Sequence, residues 1–497
     1  MSFGGQVARS IAWAGAGSAL TRVGQLFIGI IAARLMVPED FGIFAVTLVV
    51  YSIVVNVSDL GVGSALIQTE EDIDKSAPTA VTLSIVTASL LGIGMFFAAP
   101  LAASVLGAPG ATLPIQVMSS VVFIAGLSAV PSALLTRYFR QDLRFRADIA
   151  AFIVGNTVLI VLAAMGWGAM ALALSRVAVQ VVTVVVLLIV GPRYKPGFDP
   201  GTARGLIRFG MPLVGAQLLG FTIGSMDAIV LGRALGSTKL GVYTLANNIA
   251  SWPMSLSSFV VVNVGLPMLS RVAASREELE RYLANAIKAL SGVFLFVTAM
   301  CISLAYPLIY FVYGTQWVAA APVLGVLAAY GSLRVILFLF NDVLIAVGST
   351  RALMWVQVVW LLTLTAAMVV GVNAAGLIGV AFAQVGIVVL IVIPLELLIM
   401  RRLAGVRPSV VLRGLLHPTI AAVLAGLAAW AVALYIPVPG WALLAGGTVG
   451  ALVYASALFR WFRRLISEIR TLYTREGTGE DVTNPVADSD RSAPPSA

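Results

Sequence analysis

Residues 376–399 read GLIGVAFAQVGIVVLIVIPLELLI, and Glu396 is the only charged side chain in this run. The hydrocarbon core of a bilayer is about 30 Å thick, so a helix needs roughly 20 mostly apolar residues to cross it. The run is therefore predicted to be a transmembrane helix. Similar runs recur along the whole chain. The fourteen predicted spans cover residues 11–36, 41–67, 77–98, 113–136, 147–167, 169–191, 206–235, 240–270, 286–312, 319–347, 351–372, 376–399, 413–435 and 441–462.

The overall composition agrees with an integral membrane protein. Of the 497 residues, 60% are apolar and 11% are charged, and the mean hydropathy is +1.01. Soluble globular domains have about a quarter of their residues charged. This balance excludes a soluble enzyme and a soluble nucleic-acid-binding protein, so no nucleic-acid partner is predicted despite the net charge of +9. In membrane proteins, an excess of Lys and Arg marks the loops that stay in the cytoplasm.

Few residues are available for cofactor chemistry. Cys301 is the only cysteine and His417 the only histidine, which excludes an intrachain disulfide, a thiolate metal cluster and an imidazole-based catalytic triad. The sequence also lacks a glycine-rich phosphate loop of the G-x-x-x-x-G-K-[ST] type. We therefore predict no cofactor, and expect transport to be coupled to Na⁺, H⁺ or the membrane potential.

Basic residues indicate how the chain is oriented. They concentrate in alternate connections, for example at 137–146 after span four and at 401–413 after span twelve. The positive-inside rule then predicts a multi-pass protein of the inner (plasma) membrane with both termini in the cytoplasm. The outer connections are short, the longest being 98–112. They have no room for the folded outer domain of a glycan polymerase or ligase, which favours a transporter.

The chain contains an internal repeat. Phe41-Gly42-Ile43-Phe44 resembles 240–243 (Leu-Gly-Val-Tyr), and Arg34 precedes the first copy as Arg233 precedes the second, both at an offset of 199 residues. This offset holds six predicted spans, so both copies start on the same membrane side and form parallel repeats about an axis along the membrane normal. The predicted division is a first lobe at 1–191, a linker at 192–205, a second lobe at 206–400, two added spans at 401–463 and a disordered tail at 464–497.

Ionisable residues inside predicted spans cost about 2.5–3.5 kcal/mol each at mid-membrane. Arg22 is near the middle of span one, and Asp59 is near the inner part of the neighbouring span two. They form either a structural ion pair or, in the second interpretation, an anion site in which Arg22 lines a water-filled cavity. Arg334 and Arg176 are further candidates for the cavity lining, the alternative being hydrogen bonds to backbone carbonyls.

Polar residues near the outer ends allow two further interpretations. Arg34 and Arg233 either anchor their helices at the interface or attract an anionic head group at the outer mouth. Asp227, Asn247 and Asn248 either form helix-packing hydrogen bonds or meet as an oxygen-rich site for a coupling Na⁺ or H⁺.

Three stretches of the first lobe resemble a known family. Residues 35–45 (LMVPEDFGIFA) and 58–68 (SDLGVGSALIQ) resemble the junction of spans one and two, and the end of span two, in polysaccharide flippases of the multidrug/oligosaccharidyl-lipid/polysaccharide exporter superfamily. Residues 131–137 (PSALLTR), followed by Leu-Arg-Phe-Arg at 143–146, are similar to the loop between spans four and five. The most similar branch contains the exporters of colanic acid and O-antigen.

The resemblance implies an all-helical protein with two six-helix lobes around a central cationic cavity and two added helices. It also implies a flippase that carries undecaprenyl-pyrophosphate-linked oligosaccharides across the bilayer for surface polysaccharide synthesis, working beside a polymerase and other assembly proteins. Three alternatives remain open at this stage. They are a drug/cation antiporter of the same superfamily, a lipid II flippase, and a polytopic glycan polymerase or ligase.

Overall fold

The computed structural model describes residues 21–58, 61–68, 72–252, 276–403 and 405–477. Every regular element in this part of the chain is a helix, as backbone groups in hydrocarbon require, since a helix satisfies its own hydrogen bonds. The main helices are α1 (21–35), α2 (Pro38–Ser58), α3 (Val62–Gln68), α4 (Ile73–Val105), α5 (Thr112–Arg137), α6 (Gln141–Ala164), α7 (Ala169–Val190), α8 (Pro200–Ala250), α9 (Arg276–Ser303), α10 (Ala321–Ala346), α11 (Thr350–Ile387), α12 (Ile393–Leu403), α13 (Pro408–Tyr435) and α14 (Pro439–Gly477).

Eleven stretches of the described chain are long and apolar enough to cross a bilayer. Two of them hold a pair of helices each, because Gln217–Ala250 bends at Gly236 (φ 78°) and Arg351–Leu403 bends at Ala375–Gly376 (φ 59° at the glycine). These positive φ angles suit glycine, which has no Cβ to clash with the backbone. With both halves of these two stretches counted and α1 added, fourteen described helical segments overlap the fourteen predicted spans, and the predicted helical membrane fold is confirmed.

The connections fall into two sets at the two ends of the bundle. We call one the basic end. There Tyr194 in the α7–α8 linker donates to Asp74 at the start of α4, and the Arg407 N–H donates to Glu280 of α9. At the opposite end, the α6–α7 turn meets the α1–α2 turn, because the Ala169 N–H donates to Asp40. The two connections at the basic end hold Arg193 and Lys195, and the three arginines at 401, 402 and 407. This agrees with the clustering of basic residues in alternate connections of the sequence.

The two lobes make close backbone contact at the opposite end. A Cβ added at Gly42 of α2 would overlap the carbonyl oxygen of Ser237, and a Cβ added at Gly241 would overlap the carbonyl oxygen of Pro38. Both the two glycines and the two carbonyl residues are 199 positions apart. The contact is therefore reciprocal, which is the geometry of two repeats related by a local two-fold axis, and it makes glycine necessary at both positions.

Further contacts join the lobes at this end. The indole N–H of Trp317 donates to the Ala33 carbonyl at 2.7 Å, the Gln316 amide donates to the Ala33 and Met36 carbonyls, and Phe41 packs edge-on against Trp317. At the basic end the start of α8 packs on the first lobe, where Leu206 joins an apolar cluster with Val62 and Leu134.

Some predicted features lie outside the described residues. They are the first part of span one, Asp59, the last part of span eight and the end of the predicted disordered tail. The exact lobe boundaries, including the linker at 192–205, stay predictions.

Candidate functional site: a cationic cavity

A cavity of about 900 Å³ is lined mainly by first-lobe helices. Helices α1, α2, α6 and α7 contribute most of its wall, and the last two turns of α8, with Tyr313, close the side toward the second lobe. Gln141 and Arg144 lie at its basic end, whereas Phe41 and Tyr313 lie near the opposite end, where the lobes touch. The cavity therefore runs along most of the bundle between the two lobes.

Three arginines line this cavity at different depths. Arg144 is 20 residues before the end of α6, Arg22 is 13 residues before the end of α1, and Arg176 is 7 residues after the start of α7. At 1.5 Å per residue these positions are about 30, 20 and 10 Å from the opposite end. The guanidinium groups thus form a ladder along the cavity, spaced by roughly 10 Å.

The ladder carries a net positive charge. Asp148 is the only carboxylate in the described lining, and its charge interacts with that of Arg144. The ion pair between Arg140 Nε and Asp142 Oδ1, at 3.2 Å, lies outside the cavity. Arg144 donates to the Thr136 hydroxyl. Arg22 and Arg176 make no ion pair with a carboxylate of the described residues, so the three positive charges of the ladder exceed the single negative charge of Asp148.

Neutral polar groups line the rest of the wall beside aromatic rings. The amides are those of Gln25, Gln141, Asn156 and Asn248, the hydroxyls include those of Thr183 and Thr244, and the rings include Phe44, Phe145, Phe152 and Trp252. Amides and hydroxyls exchange hydrogen bonds with hydroxyl-rich ligands, and arginine binds phosphate oxygens bidentately. The lining thus suits an anion attached to a polar, sugar-like group.

The structure separates Arg334 from the other predicted cavity residues. Arg22 and Arg176 share the large cavity, but Arg334 lines a different pocket in the second lobe, where its guanidinium lies 5.8 Å from the centre of the Tyr330 ring. Sequence depth alone grouped these residues, since it does not show which way a side chain faces around its helix. Asp59 is outside the described residues, so its pairing with Arg22 stays a prediction.

The outer arginines do not line the cavity. Arg34 Nε donates to the Val312 carbonyl at 2.8 Å, and its Nη2 donates to the Phe311 carbonyl. Arg34 therefore caps the helical turn Ile309–Tyr313 of the second lobe. Arg233 is exposed, three residues before the bend of α8 at Gly236. Both arginines are exposed. Whether they anchor their helices at the interface or attract an anionic head group stays a prediction.

Asp227 and the two asparagines are distributed over different environments. Asp227 is buried, accepts from the Ala228 N–H at 2.8 Å and interacts with Tyr243, whose hydroxyl also donates to Gln384. Asn248 lines the large cavity instead, and Asn247 is partly buried beside it in sequence. The described residues contain no cluster of three acidic, His or Cys side chains able to hold a metal ion. A role of Asp227 and the two asparagines in ion coupling stays a prediction.

Arg144 is the cavity residue that sequence analysis did not select. It belongs to a connection interpreted mainly as a positive-inside signal, with contact to phosphate at the cytoplasmic membrane surface as the alternative. The first turns of α6 instead carry it into the cavity wall with Asp148 and Phe152. Spacing offers a signal, because positions 144, 148, 152 and 155 share one helical face, and all four line the cavity. Arg137, from the same connection, instead donates to the Leu66 and Ile67 carbonyls of α3.

Comparison with known proteins identifies the family of this chain. The sequence profile of the family described as "Polysaccharide biosynthesis protein" matches residues 31–322, which is more than half of the chain. The chain belongs to this family. It is thereby a member of the multidrug/oligosaccharidyl-lipid/polysaccharide exporter superfamily and of its polysaccharide flippase branch.

Family relatives cover most of the chain. It is 27% identical over 374 residues to the succinoglycan biosynthesis transport protein ExoT of Rhizobium meliloti (strain 1021), covering 73% of this chain and 74% of that one. It is 24% identical over 356 residues to the lipopolysaccharide biosynthesis protein WzxC of Escherichia coli (strain K12), covering 70% and 72%. These matches support a multi-pass membrane transporter of polysaccharide biosynthesis.

A solved structure shares the fold of this family member. The lipid II flippase MurJ in an inward closed conformation aligns with a TM-score of 0.73 at 15% identity, covering 91% of this chain and 99% of that one. At this identity the likeness shows the fold alone. It agrees with the two-lobed arrangement and the two added helices α13 and α14.

Proposed function

We propose that this family member flips an undecaprenyl-pyrophosphate-linked oligosaccharide from the cytoplasmic to the outer leaflet, as a transporter and not an enzyme. The observation that carries the proposal is the ladder of Arg144, Arg22 and Arg176 along a cavity of about 900 Å³. Removing a pyrophosphate and many hydroxyls from water costs several kcal/mol per group. A hydrated, cationic passage removes most of that cost.

The ladder suggests how the charged group advances. Arg144 at the basic end meets the pyrophosphate first, Arg22 binds it near the middle, and Arg176 holds it closest to the opposite end. Each step of roughly 10 Å passes the anion between neighbouring guanidinium groups. The amides and hydroxyls of the wall replace water around the sugars, while the lipid tail stays in the bilayer.

We further propose an orientation and a conformational cycle. The basic end faces the cytoplasm, with both termini on that side, because Lys and Arg gather there. The contacts of Gly42, Gly241 and Trp317 then hold the outer side closed. Flipping requires the lobes to rock so that these contacts part. No cofactor enters the scheme, and an ion gradient or the membrane potential supplies the energy.

Several observations favour this proposal over its alternatives. A drug/cation antiporter needs carboxylates in its cavity, whereas the described lining has three arginines and one aspartate. A polymerase or ligase needs a folded outer domain, whereas the described connections at the opposite end are short, for example 165–168 and 436–438. The names of ExoT and WzxC refer to succinoglycan and lipopolysaccharide, which favours a polysaccharide precursor over lipid II as the substrate.

The test is a flipping assay on the full chain in liposomes. Fluorescent undecaprenyl-pyrophosphate oligosaccharide is placed in the membrane, and its appearance in the outer leaflet is followed by quenching. Hydrogen bonds to charged groups contribute about 1.5–3 kcal/mol, so R22Q, R144Q and R176Q are each expected to slow flipping by roughly 10- to 100-fold. R402Q, which changes an exposed arginine outside the cavity, is the matched control.

A second substrate tests the role of the charge. An oligosaccharide on an uncharged polyprenol should show a much smaller difference between the chain and its R22Q and R176Q variants. Unchanged flipping of the pyrophosphate substrate by all three cavity variants would refute the proposal. Equal losses for the charged and the uncharged substrate would refute the anion-binding role.

A further inference from the structure

A second pocket lies inside the second lobe, apart from the arginine ladder. Its volume is about 170 Å³, and it lies between the first part of α8, the middle of α10 and the start of α11. A cavity holds one water molecule when its volume exceeds about 10–15 Å³ on this measure. The pocket therefore has room for a ligand of several heavy atoms. Its polar and aromatic lining residues are Tyr330, Arg334, Phe338, Asn341, Gln357 and Trp360.

Two buried polar atoms of this lining have no partner in the described chain. Trp360 is 7% exposed, and its indole N–H makes no hydrogen bond. The side-chain oxygen of Asn341 is buried and accepts no hydrogen bond. Buried donors and acceptors are almost always satisfied, since an unmet one costs about 1–3 kcal/mol. A residue with an unused donor and a residue with an unused acceptor thus both line this pocket.

The pocket also carries a positive charge. Arg334 lines it, and no carboxylate belongs to its described lining. The charge of Arg334 acts on Asp227, which is buried behind the pocket and does not line it. Guanidinium groups bind carboxylates through two parallel hydrogen bonds. Opposite the charge, the rings of Phe338 and Trp360 offer apolar surface.

We propose that this pocket binds a carboxylate-bearing sugar residue of the transported glycan. The carboxylate pairs with Arg334, and a neighbouring hydroxyl accepts from the Trp360 N–H and donates to the Asn341 oxygen. The C–H face of the sugar ring packs on the aromatic rings. A bare inorganic anion satisfies Arg334 and Trp360 but leaves the Asn341 oxygen without a donor. A neutral sugar leaves the guanidinium without a charged partner inside the pocket.

This inference rests on the proposed function, because it names the kind of glycan that the second lobe recognises. It assigns the two lobes different parts of one substrate. The first lobe binds the pyrophosphate through Arg22 and its neighbours, and the second lobe binds an acidic sugar through Arg334.

Calorimetric titration of the purified full chain tests the pocket without transport. The probes are D-glucuronate, D-glucose and inorganic phosphate, each titrated into the chain and into R334Q, W360F and R402Q. Glucuronate is expected to bind at least tenfold more tightly than glucose. R334Q should remove this preference. W360F keeps an aromatic side chain but removes the indole N–H, and it should weaken glucuronate binding severalfold. R402Q should bind glucuronate as the unmodified chain does.

Several results would overturn the inference. These are equal binding of glucuronate and glucose, phosphate binding that depends on Arg334 as strongly as glucuronate binding does, or a preference that survives in R334Q. Thermal unfolding of each variant identifies any that does not fold, and W360F then carries the test in place of R334Q. The R22Q variant distinguishes the two proposals, because it should lose flipping while it still prefers glucuronate. If R22Q abolishes glucuronate binding, the sugar occupies the first-lobe cavity and the pocket assignment is wrong.

Discussion

The same glycine contact occurs once in each lobe. Gly42 of the first lobe packs on the Ser237 carbonyl, and Gly241 of the second lobe packs on the Pro38 carbonyl. The residues that surround these contacts differ, however. Asp40 corresponds to Lys239 at the offset of 199 positions, and the bonded Arg34 corresponds to the exposed Arg233. The backbone geometry is repeated where the lobes touch, and the side-chain chemistry is not.

The interiors of the lobes differ in the same way. Three arginines line the large cavity on the first-lobe side, whereas the second lobe has one arginine in a pocket about a fifth as large. A two-fold contact needs equivalent backbones, because both halves must fit the same surface. Ligand binding has no such requirement. Each lobe is therefore free to recognise a different part of an asymmetric, lipid-linked substrate.

Breaking the shared glycine contact should have the largest effect. In both G42A and G241A the new methyl group overlaps a carbonyl oxygen of the other lobe, so the backbones must separate. Overpacking of this kind costs about 1–3 kcal/mol or more. We expect similar losses of outer closure in both variants. The readout is the labelling rate of a Y313C probe by an impermeant maleimide in a Cys301→Ser background, since Tyr313 is buried beside the contact.

Because the contact is reciprocal, G42A and G241A should increase the labelling rate to a similar extent. G94A, where a Cβ would meet nothing within 4 Å, is the control for a glycine change in a helix. Faster labelling in G42A and G241A, with G94A unchanged, supports closure by this contact. A large effect in one variant and none in the other would show that the contact is not shared equally between the lobes.

Sequence alone predicted the fold because the bilayer imposes a simple pattern. Runs such as 376–399 have one energetically acceptable conformation in hydrocarbon, and the helical bend at Ala375–Gly376 begins where this run begins. The 199-residue offset also predicted that Gly42 and Gly241 are equivalent. The structure gives the reason for glycine at both positions, because the close backbone contact leaves no space for a Cβ. What the offset did not show is that the two glycines meet each other.

The candidate site was predictable only in part. Depth along the chain identified Arg22 and Arg176, because a charge near mid-membrane needs a polar surrounding. The same criterion placed Arg334 with them, although it lines another pocket, because depth gives no information about direction around a helix axis. Arg144 was missed because it does not lie near mid-membrane. It lies at a basic end where arginine is common, and only the tertiary structure turns it into the cavity.

The corresponding arginines provide the next test of the comparison. R34A removes two hydrogen bonds from a guanidinium to the Phe311 and Val312 carbonyls of the other lobe, whereas R233A removes an exposed side chain. Charged hydrogen bonds contribute about 1.5–3 kcal/mol, reduced here because Arg34 is exposed. We expect R34A to speed labelling of Y313C by a few-fold, less than G42A does, and R233A to leave it unchanged. Equal effects of R34A and R233A would contradict the structural difference between the two arginines.

The smallest expected effect concerns Asp40 and its counterpart Lys239. Asp40 accepts from the Ala169 N–H at 3.0 Å and from the Val37 N–H at 3.2 Å, so it caps the start of α7, whereas Lys239 is exposed. Loss of a cap costs about 1 kcal/mol, and thermal inactivation of the detergent-solubilised chain should therefore quicken by up to about fivefold in D40A. D40N keeps an acceptor oxygen and should restore most of the half-life, and K239A should change little. An equal loss in D40A and K239A would mean that general charge, and not the cap on α7, stabilises this end. Because the two positions correspond in the repeat, a difference between them measures how far the two lobes have diverged where they do not touch.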